Sequence, residues 1–304
     1  MIVSATRRAD IPAYYSRWFM NRIRAGWCAV PNPFNSRQVL RVDLSPERVD
    51  ALVFWTRDPT PLLGHLEELA SMGHRFVFQF TLVEYPPCMH PGMKPLPARL
   101  EAFRRLADAV GPERVLWRYD PVVLTGETGT DFHLKGFEIL ARALEGSTRR
   151  VTVSLMEPYR KTRARMARIG AHLLAPEEHA LAGMFTSIAE LARSRGMEPV
   201  SCADEAGLAG LGFLPGACVD ALLLNRLFSL ALPESRDVSQ RPACRCAKST
   251  DIGMYDACPA GCAYCYATQD FVRARKALSR HDPDSPSLLG RFEPPPPQHP
   301  LFTP

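Results

Sequence analysis

The stretch that decides the fold is ALVFWT at residues 51–56, a run of apolar and aromatic residues that ends at Thr56. Such runs are typical of β-strands. The charged residues Arg57 and Asp58 follow at once, and Pro61 to Met72 then carries apolar residues at helical spacing. The stretch and its sequel therefore predict one βα unit.

The same unit recurs along the chain. Further strand-like runs lie at Ile2 to Thr6, Arg75 to Leu82, Arg114 to Tyr119, Val151 to Met156 and Met197 to Cys202. Helix-like segments include Pro97 to Val110, Phe132 to Leu144 and Glu177 to Arg195. This alternation predicts an α/β fold with parallel strands. Because six units are too few for a complete eight-fold barrel, we expect a partial TIM-like (β/α)6 barrel or an open doubly wound sheet, with Val219 to Leu224 as a candidate seventh strand.

Three parts of the chain differ in pattern. Residues 1–225 form the βα-repeat partial barrel, and residues 226–279 form a cysteine-rich segment that we expect to pack on the barrel mouth. This segment includes a helix-like run from Thr268 to Ser279. Residues 280–304 are rich in proline, including Pro294 to Pro297, and are predicted to be a flexible tail.

Composition excludes several classes of protein. The 304 residues are 46% hydrophobic and 23% charged, which is ordinary for a globular protein, and no apolar stretch is long enough to predict a membrane span. No secretion signal is visible at the start of the sequence, so the expected location is the cytoplasm. Nine cysteines are then more plausible as ligands or buried thiols than as disulfides. The net charge of +5 is too small to indicate a partner.

Polar residues follow nearly every predicted strand. Since parallel α/β folds build their sites at the carboxyl ends of the strands, these residues are expected to converge on one polar pocket. The alternative is that charged residues collect at exposed strand ends. The residues concerned are Arg7, Arg8, Asp10, Arg57, Asp58, Arg118, Asp120, Glu157, Asp204 and Glu205.

The run DACPAGCAYCYA at residues 256–267 contains Cys258, Cys262 and Cys265. Thiolates at such short spacing converge on one soft metal ion or cluster. A structural zinc site normally closes with four ligands, whereas three cysteines on an iron-sulfur cluster leave one iron open. The spacing, with Tyr264 before the last cysteine, resembles the cluster loop of radical S-adenosylmethionine (SAM) enzymes.

The chain as a whole resembles an uncharacterised bacterial family, domain-of-unknown-function family 1848, over roughly residues 1 to 270. The matching segments are ATRRADIPAYY at 5–15, NPFN at 32–35, FWTRDP at 54–59, WRYDP at 117–121, QRPACRC at 240–246 and STDIGMYDACPAGCAYCYA at 249–267. The resemblance implies a radical-SAM-like cluster but brings no established reaction. Unlike ordinary radical SAM enzymes, this chain has its three-cysteine loop after the last strand rather than the first.

The superfamily resemblance implies a mechanism. Cys258, Cys262 and Cys265 would hold a [4Fe-4S] cluster whose open iron binds SAM, and reductive cleavage of SAM would give a 5′-deoxyadenosyl radical that attacks an unknown polar substrate. An electron donor such as flavodoxin or ferredoxin is then required. Tyr264 would pack near the adenine. Radical SAM enzymes often hold the methionine amino group with a glycine-rich motif after the second strand, and this sequence has no clear motif of that kind. Arg57 and Asp58 are candidates for the same role.

Charged residues at the strand ends receive roles in the same scheme. Arginines pair bidentately with carboxylates, so Arg7, Arg8, Arg57 and Arg118 are candidates for the SAM carboxylate. The acidic residues would orient the ribose or the substrate, or else pair with neighbouring arginines. They are Asp10, Asp120, Glu157 and Glu205.

Four more cysteines form a second possible constellation: Cys202, Cys218, Cys244 and Cys246. They are predicted to hold an auxiliary iron-sulfur cluster or a structural zinc, or to be buried thiols. Cys28 and Cys88 are expected to have no metal role.

Other function classes remain open. One alternative is a non-radical metal protein with a structural zinc or iron-sulfur site. Another is a repair lyase that acts on nucleic acid. A basic stripe at Lys161, Arg165 and Arg168 permits nucleic-acid binding but is equally a solvated helix face. The expected substrate is a small molecule or a peptide, with nucleic acid as a further alternative. The eight histidines suggest no other catalytic centre, and His133 is expected on a helix surface.

Overall fold

The computed structural model describes residues 1–175, 177–203 and 207–294. The strands are β1 Ile2–Ala5, β2 Trp27–Asn32, β3 Asn35–Asp43, β4 Ala51–Thr56, β5 Phe76–Thr81, β6 Val115–Val122, β7 Arg150–Leu155, β8 Glu198–Cys202, β9 Leu214–Gly216 and β10 Ser249–Asp251. The α-helices are α1 Ile11–Tyr14, α2 Ser16–Ala25, α3 Thr60–Leu63, α4 Leu66–Ser71, α5 Leu96–Val110, α6 Thr130–Ala143, α7 Arg160–Arg168, α8 Glu178–Ser194, α9 Ala221–Phe228 and α10 Phe271–Ser279. No helix among the described residues combines the length and apolar character needed to cross a membrane.

Eight strands form one sheet in the order β10-β1-β4-β5-β6-β7-β8-β9, and every neighbouring pair is parallel. The α/β class and all six predicted strands are present. Within the described ranges no pairing joins β9 to β10, so the sheet is not closed and a TIM-like barrel is not confirmed. Strands β2 and β3 form a separate antiparallel hairpin that the sequence did not indicate.

The candidate seventh strand at 219–224 was predicted wrongly, because its residues lie mainly in helix α9. The Asp220 side chain accepts a hydrogen bond from the Leu223 backbone N–H at 3.0 Å, which caps the helix start. Ala221 and Leu224 are buried at helical spacing. A short apolar run is compatible with a strand or with a helix, and the Asp220 N-cap identifies this one as a helix.

Both faces of the sheet are buried. On one face Phe54 and Phe78 stack at 4.8 Å within the large core that also receives the helices. The other face has a smaller apolar cluster in which Val53 and Val77 meet the chain segment that contains Cys218 and Cys246. Because side chains alternate along a strand, β4 contributes to both cores. Cys218, before α9, and Cys246, after it, therefore both cover part of this second face, here called the inner face of the sheet.

Asp251 fixes β10 against β1. Its carboxylate accepts hydrogen bonds from Ser4 Oγ at 2.9 Å, from the Gly253 N–H at 2.9 Å and from Thr6 Oγ1. Gly253 has no room for a side chain, since an added Cβ would collide with Thr6. These contacts bring the cysteine-rich segment to the carboxyl end of the first strand.

The beginning of the expected tail is packed rather than free. Trp18 Nε1 donates to the Ser285 carbonyl at 2.9 Å, and the Ala29 N–H donates to the Pro286 carbonyl at 2.8 Å. Leu288 is fully buried in the large core. The boundary placed at residue 280 is therefore too early for a flexible tail, because residues 285–288 belong to the packed structure.

His133 was predicted on a helix surface, but it is completely buried. Its Nδ1 accepts a hydrogen bond from Tyr119 Oη at 2.9 Å, and its Nε2–H donates to the Val123 carbonyl at 3.0 Å. Burial lowers the pKa of His133 to about 4. The neutral ring is therefore the native form at neutral pH.

This buried histidine predicts acid sensitivity. In the unfolded chain His133 binds a proton near pH 6.5, whereas the folded protein resists protonation down to about pH 4, so its contribution to stability is present above pH 6.5 and is lost as pH falls. Between pH 7 and pH 5 the free energy of unfolding should fall by about 2 kcal/mol more in the wild type than in His133→Gln. Urea denaturation at both pH values measures this difference.

The control is His179→Gln, because the His179 side chain is 82% exposed. This variant should keep the wild-type dependence on pH. If His133→Gln lost as much stability on acidification as the wild type, the inference would be wrong.

Candidate metal and cofactor site

A cavity of about 1030 Å³ opens at the carboxyl ends of β1, β4, β6, β7 and β8. Both groups of cysteines line it. The predicted site residues on its wall are Arg7, Arg8, Asp10, Arg57, Arg118, Asp120, Glu157, Tyr264, Cys202, Cys218, Cys244, Cys246, Cys258, Cys262 and Cys265. Asp58 is not among the lining residues and forms an ion pair with Lys94 at 2.6 Å instead. Asp204 and Glu205 lie outside the described residues.

Cys258, Cys262 and Cys265, here called the three-cysteine loop, all line this cavity. Burial raises the pKa of the Cys258 thiol, and the neighbouring Cys262 sulfur raises it further. Burial also raises the pKa of Cys262, against the opposing effect of the Arg57 guanidinium. Without a metal these two side chains are therefore neutral thiols, and their ionisation depends on a compensating positive charge.

The segment before α5 supports the three-cysteine loop. The Ala263 N–H donates to the Met89 carbonyl at 2.9 Å. A Cβ on Gly92 would lie 2.8 Å from the Ala260 carbonyl oxygen, so only glycine permits this approach of the two chains. Gly261 has a positive φ of 83°, which makes the turn between the first two cysteines. Loop conformation is thus fixed by backbone contacts on both sides.

Arg165 on α7 makes several hydrogen bonds to this loop. Its Nη1 donates to the carbonyls of Cys265 at 2.9 Å and Ala263 at 3.3 Å, and its Nη2 donates to the Thr268 carbonyl at 2.6 Å. The guanidinium also lies 4.7 Å above the Phe271 ring. The sequence placed Arg165 in a basic stripe for phosphate or solvent, but here it binds the three-cysteine loop.

The donors around the three-cysteine loop fit an iron-sulfur cluster. The backbone N–H groups of Ala267 and Thr268 donate to Cys265 Sγ at 3.3 and 3.4 Å, and such hydrogen bonds stabilise cluster thiolates. No three Cys, His, Asp or Glu side chains in the described ranges are grouped around one metal-ion position. In a cluster each thiolate binds a different iron, so its sulfurs are spread more widely than around one ion.

Tyr264 is held by two polar neighbours. Arg57 Nη2 donates to Tyr264 Oη at 3.0 Å, and His90 Nε2 contacts the same hydroxyl. Burial, and then the Arg57 charge, lower the pKa of His90 to about 2, so its ring is neutral and able to accept a hydrogen bond. No sequence spacing linked His90 to the cysteines, because 174 residues separate it from Tyr264.

Asp10 ties the ends of β1 and β4 together. Its side chain accepts hydrogen bonds from Thr56 Oγ1 at 2.8 Å, from the Arg57 N–H at 2.7 Å and from the Ala13 N–H at 3.0 Å. Burial raises its pKa to about 6. Each oxygen thus has a backbone donor, and the carboxyl group shapes the cavity wall.

Two other predicted acids are paired with cations. Asp120 binds the Arg118 guanidinium on one oxygen and the Ser154 hydroxyl on the other. Glu157, at the exposed rim, forms an ion pair with Arg241 at 3.2 Å. Both contacts agree with the alternative that these carboxylates serve as partners for arginines.

Cys202, Cys218, Cys246 and Cys244, the four-cysteine row, contact one another in that order. Cys202 Sγ lies 2.9 Å from Cys218 Sγ. Hydrogen bonds continue from Cys218 to Cys246 and from Cys246 to Cys244, and the last one lowers the pKa of Cys244 to about 7. Arg118 Nη1 donates to Cys218 Sγ at 2.8 Å. Four cysteines scattered along the sequence thus meet on the wall of the cavity.

Arg165→Gln tests the support of the three-cysteine loop. It removes charge-assisted hydrogen bonds to the loop, so the free energy of unfolding should fall by about 2 kcal/mol. Amide hydrogen exchange should quicken in residues 258–268. Arg168→Gln, on the same helix, is the control because the Arg168 Nε–H donates within the helix, to the Ala164 carbonyl at 3.3 Å. Equal effects of the two substitutions would contradict the role of Arg165.

Comparison with known proteins identifies a family for this chain but no curated relative. A search of curated proteins finds no match to the chain. The family described as "Domain of unknown function (DUF1848)" matches residues 2–267, which include the parallel sheet, the four-cysteine row and the three-cysteine loop. The chain therefore belongs to the DUF1848 family.

Proposed function

We propose that this protein is a radical SAM-like enzyme whose three-cysteine loop holds a [4Fe-4S] cluster at the mouth of a partial TIM-like barrel. The observation that carries the proposal is that all three cysteines line the cavity that also contains the ends of the parallel strands. A cluster bound there would meet a substrate at the position where parallel α/β folds bind their ligands.

The cofactor would supply the reactive species, and the protein would supply binding and exclusion of water. A reduced cluster held there would supply the one electron that cleaves SAM to methionine and a 5′-deoxyadenosyl radical. Flavodoxin or ferredoxin would deliver that electron. Arg57 is the residue we assign to the SAM carboxylate, because it lies near Cys262 and its fork suits a carboxylate. Tyr264, fixed by Arg57, would form the adjoining wall.

The cavity wall combines polar and apolar surface. Asp10 and Asp120 are held by neighbouring donors and would act on the substrate mainly by shaping the pocket. Arg8 and Glu157 lie at half-buried and exposed positions, where they could contact a polar substrate directly. Trp55 and Leu155 add apolar surface that limits access of water to the reacting atoms.

The test is production of 5′-deoxyadenosine. The chain is reconstituted anaerobically with iron and sulfide, reduced with dithionite and incubated with SAM, and the nucleoside is detected by mass spectrometry. Cys262→Ala should lower it to the level of a reaction without protein, because a cluster ligand is lost. Cys28→Ala is the matched control, since Cys28 is equally buried but lies in β2, away from the cavity.

Retention of the product in Cys262→Ala would contradict the assignment of the cluster ligands. A colourless wild-type protein with stoichiometric zinc would favour the second candidate, a non-radical metal protein. That candidate is supported by the contacts of Arg165 and Asp251, through which the cysteine-rich segment stabilises the sheet whatever metal it holds.

The third candidate, a repair lyase acting on nucleic acid, is supported by the rim of the cavity. Phe34, at the tip of the β2–β3 hairpin, is 96% exposed and lines the cavity. The Arg8 guanidinium lies 4.7 Å above the Tyr255 ring. Exposed rings beside cations are a surface on which bases stack.

For this candidate we expect salt-dependent binding of single-stranded oligonucleotides, measured by fluorescence anisotropy. Phe34→Ala should weaken it at least about fivefold, because stacking contributes at least about 1 kcal/mol per base. Leu40→Ala, an exposed residue of the same hairpin, should bind normally. No measurable binding at low salt would remove nucleic acid from the substrate classes.

A further inference from the structure

The four-cysteine row differs from ordinary buried cysteines in where it lies. Its members come from the end of β8, the segment after β9 and the chain before β10, so the fold brings together residues that are far apart in sequence. All of them line the cavity and contact one another. Cys28, by contrast, is packed in the large core away from this cavity, as an apolar residue would be.

Positive charge surrounds the row. Arg118, which is buried, donates a hydrogen bond to Cys218 Sγ at 2.8 Å. Arg7 lies near Cys246 and Cys218, and its guanidinium is 5.2 Å from the centre of the Trp55 ring. Neutral thiols need no such neighbours. Four thiolates around a divalent ion carry a net charge of −2, which the Arg7 guanidinium opposes fully and the Arg118 guanidinium opposes in part, because Asp120 already pairs with Arg118.

One nitrogen of Arg7 supports the same conclusion. Its Nη2 is buried, yet it has no hydrogen-bond partner anywhere in the part of the chain that the structure describes. Leaving a charged donor unpaired in the interior is costly, so a nearby anionic group is expected to face it. A metal-thiolate centre at Cys246 and Cys218 would provide that group.

The sulfurs of Cys202 and Cys218 are already as close as two ligands of one metal ion. Around one tetrahedral ion with metal–sulfur bonds of about 2.3 Å, two thiolates lie about 3.8 Å apart. The Sγ atoms of Cys202 and Cys218 are 2.9 Å apart. As free thiols the sulfurs form a row, which is why no group of described side chains surrounds one ion position. When the thiols lose their protons and bind a metal, the hydrogen bonds between them are replaced by sulfur–metal bonds. The row would then open into a site with four ligands.

We propose that Cys202, Cys218, Cys244 and Cys246 form a second metal centre, a closed four-thiolate site separate from the three-cysteine loop. With four protein ligands it has no open coordination position, so it stabilises the inner face of the sheet or relays electrons rather than binding substrate. The proposal goes beyond the function assigned to the three-cysteine loop and does not depend on it.

The test removes the first site and asks whether metal remains. In a variant with Cys258, Cys262 and Cys265 all replaced by alanine, anaerobic titration with Co²⁺ should give the intense visible absorption of tetrahedral cobalt thiolate at one equivalent per chain. Metal analysis of the same variant after reconstitution distinguishes the two forms of the centre: one zinc identifies a single ion, and about four irons with sulfide identify a cluster.

Matched variants assign the ligands. Adding Cys218→Ala or Cys246→Ala to the triple variant should abolish the cobalt signal, whereas adding Cys28→Ala should leave it unchanged. Persistence of the signal without both Cys218 and Cys246, or no bound metal in the triple variant while circular dichroism shows it folded, would overturn the proposal. The 5′-deoxyadenosine assay is independent of this readout, so the two proposals can fail separately.

Two further measurements avoid dependence on cysteine variants that fail to fold. In the unaltered chain, bound Co²⁺ should protect these four cysteines from iodoacetamide, as located by peptide mass spectrometry. Arg7→Gln should weaken cobalt binding in the triple variant by about 10- to 100-fold, the usual effect of losing a group that supports metal ligands. Unchanged alkylation and unchanged affinity would both contradict the second centre.

Discussion

Parallel pairing throughout the large sheet is the constraint on which the rest of this structure depends. Because each strand pairs in parallel with its neighbours, every strand ends on the same edge. Arg7 and Arg57 follow such strands, Arg118 lies within β6 and Cys202 ends β8, and all four line one cavity. The cysteine-rich segment then needs only one more parallel strand, β10, to arrive at that edge beside β1.

Much of this arrangement could be predicted from local sequence pattern. The strand core at 51–56 was correct to the residue, because an apolar run followed by charged residues specifies both a strand and its end. Strand β10 could not be found in this way, since three residues are too few to show a pattern. Helix α9 was taken for a strand because its apolar run is too short to show a helical period. What distinguishes it from a strand is the N-cap at Asp220.

The site was less predictable than the sheet, for a physical reason. Residue type indicates what chemistry is available, but partners depend on which segments meet. Arg165 was placed in a basic stripe on the evidence of its helix alone, whereas its partners lie about a hundred residues further along. His90 and Asp251 gave no signal for the same reason, as their contacts at Tyr264 and at Ser4 and Thr6 are distant in sequence.

The pairing of β10 with β1 also bears on how the protein is made. Ser4 and Asp251 are 247 residues apart, so β1 must wait for all of the intervening chain before this edge is covered. An exposed strand edge is prone to join other chains, and contacts between distant residues form late. The three-cysteine loop follows β10 along the chain, so it reaches its place at the strand ends only through this late pairing.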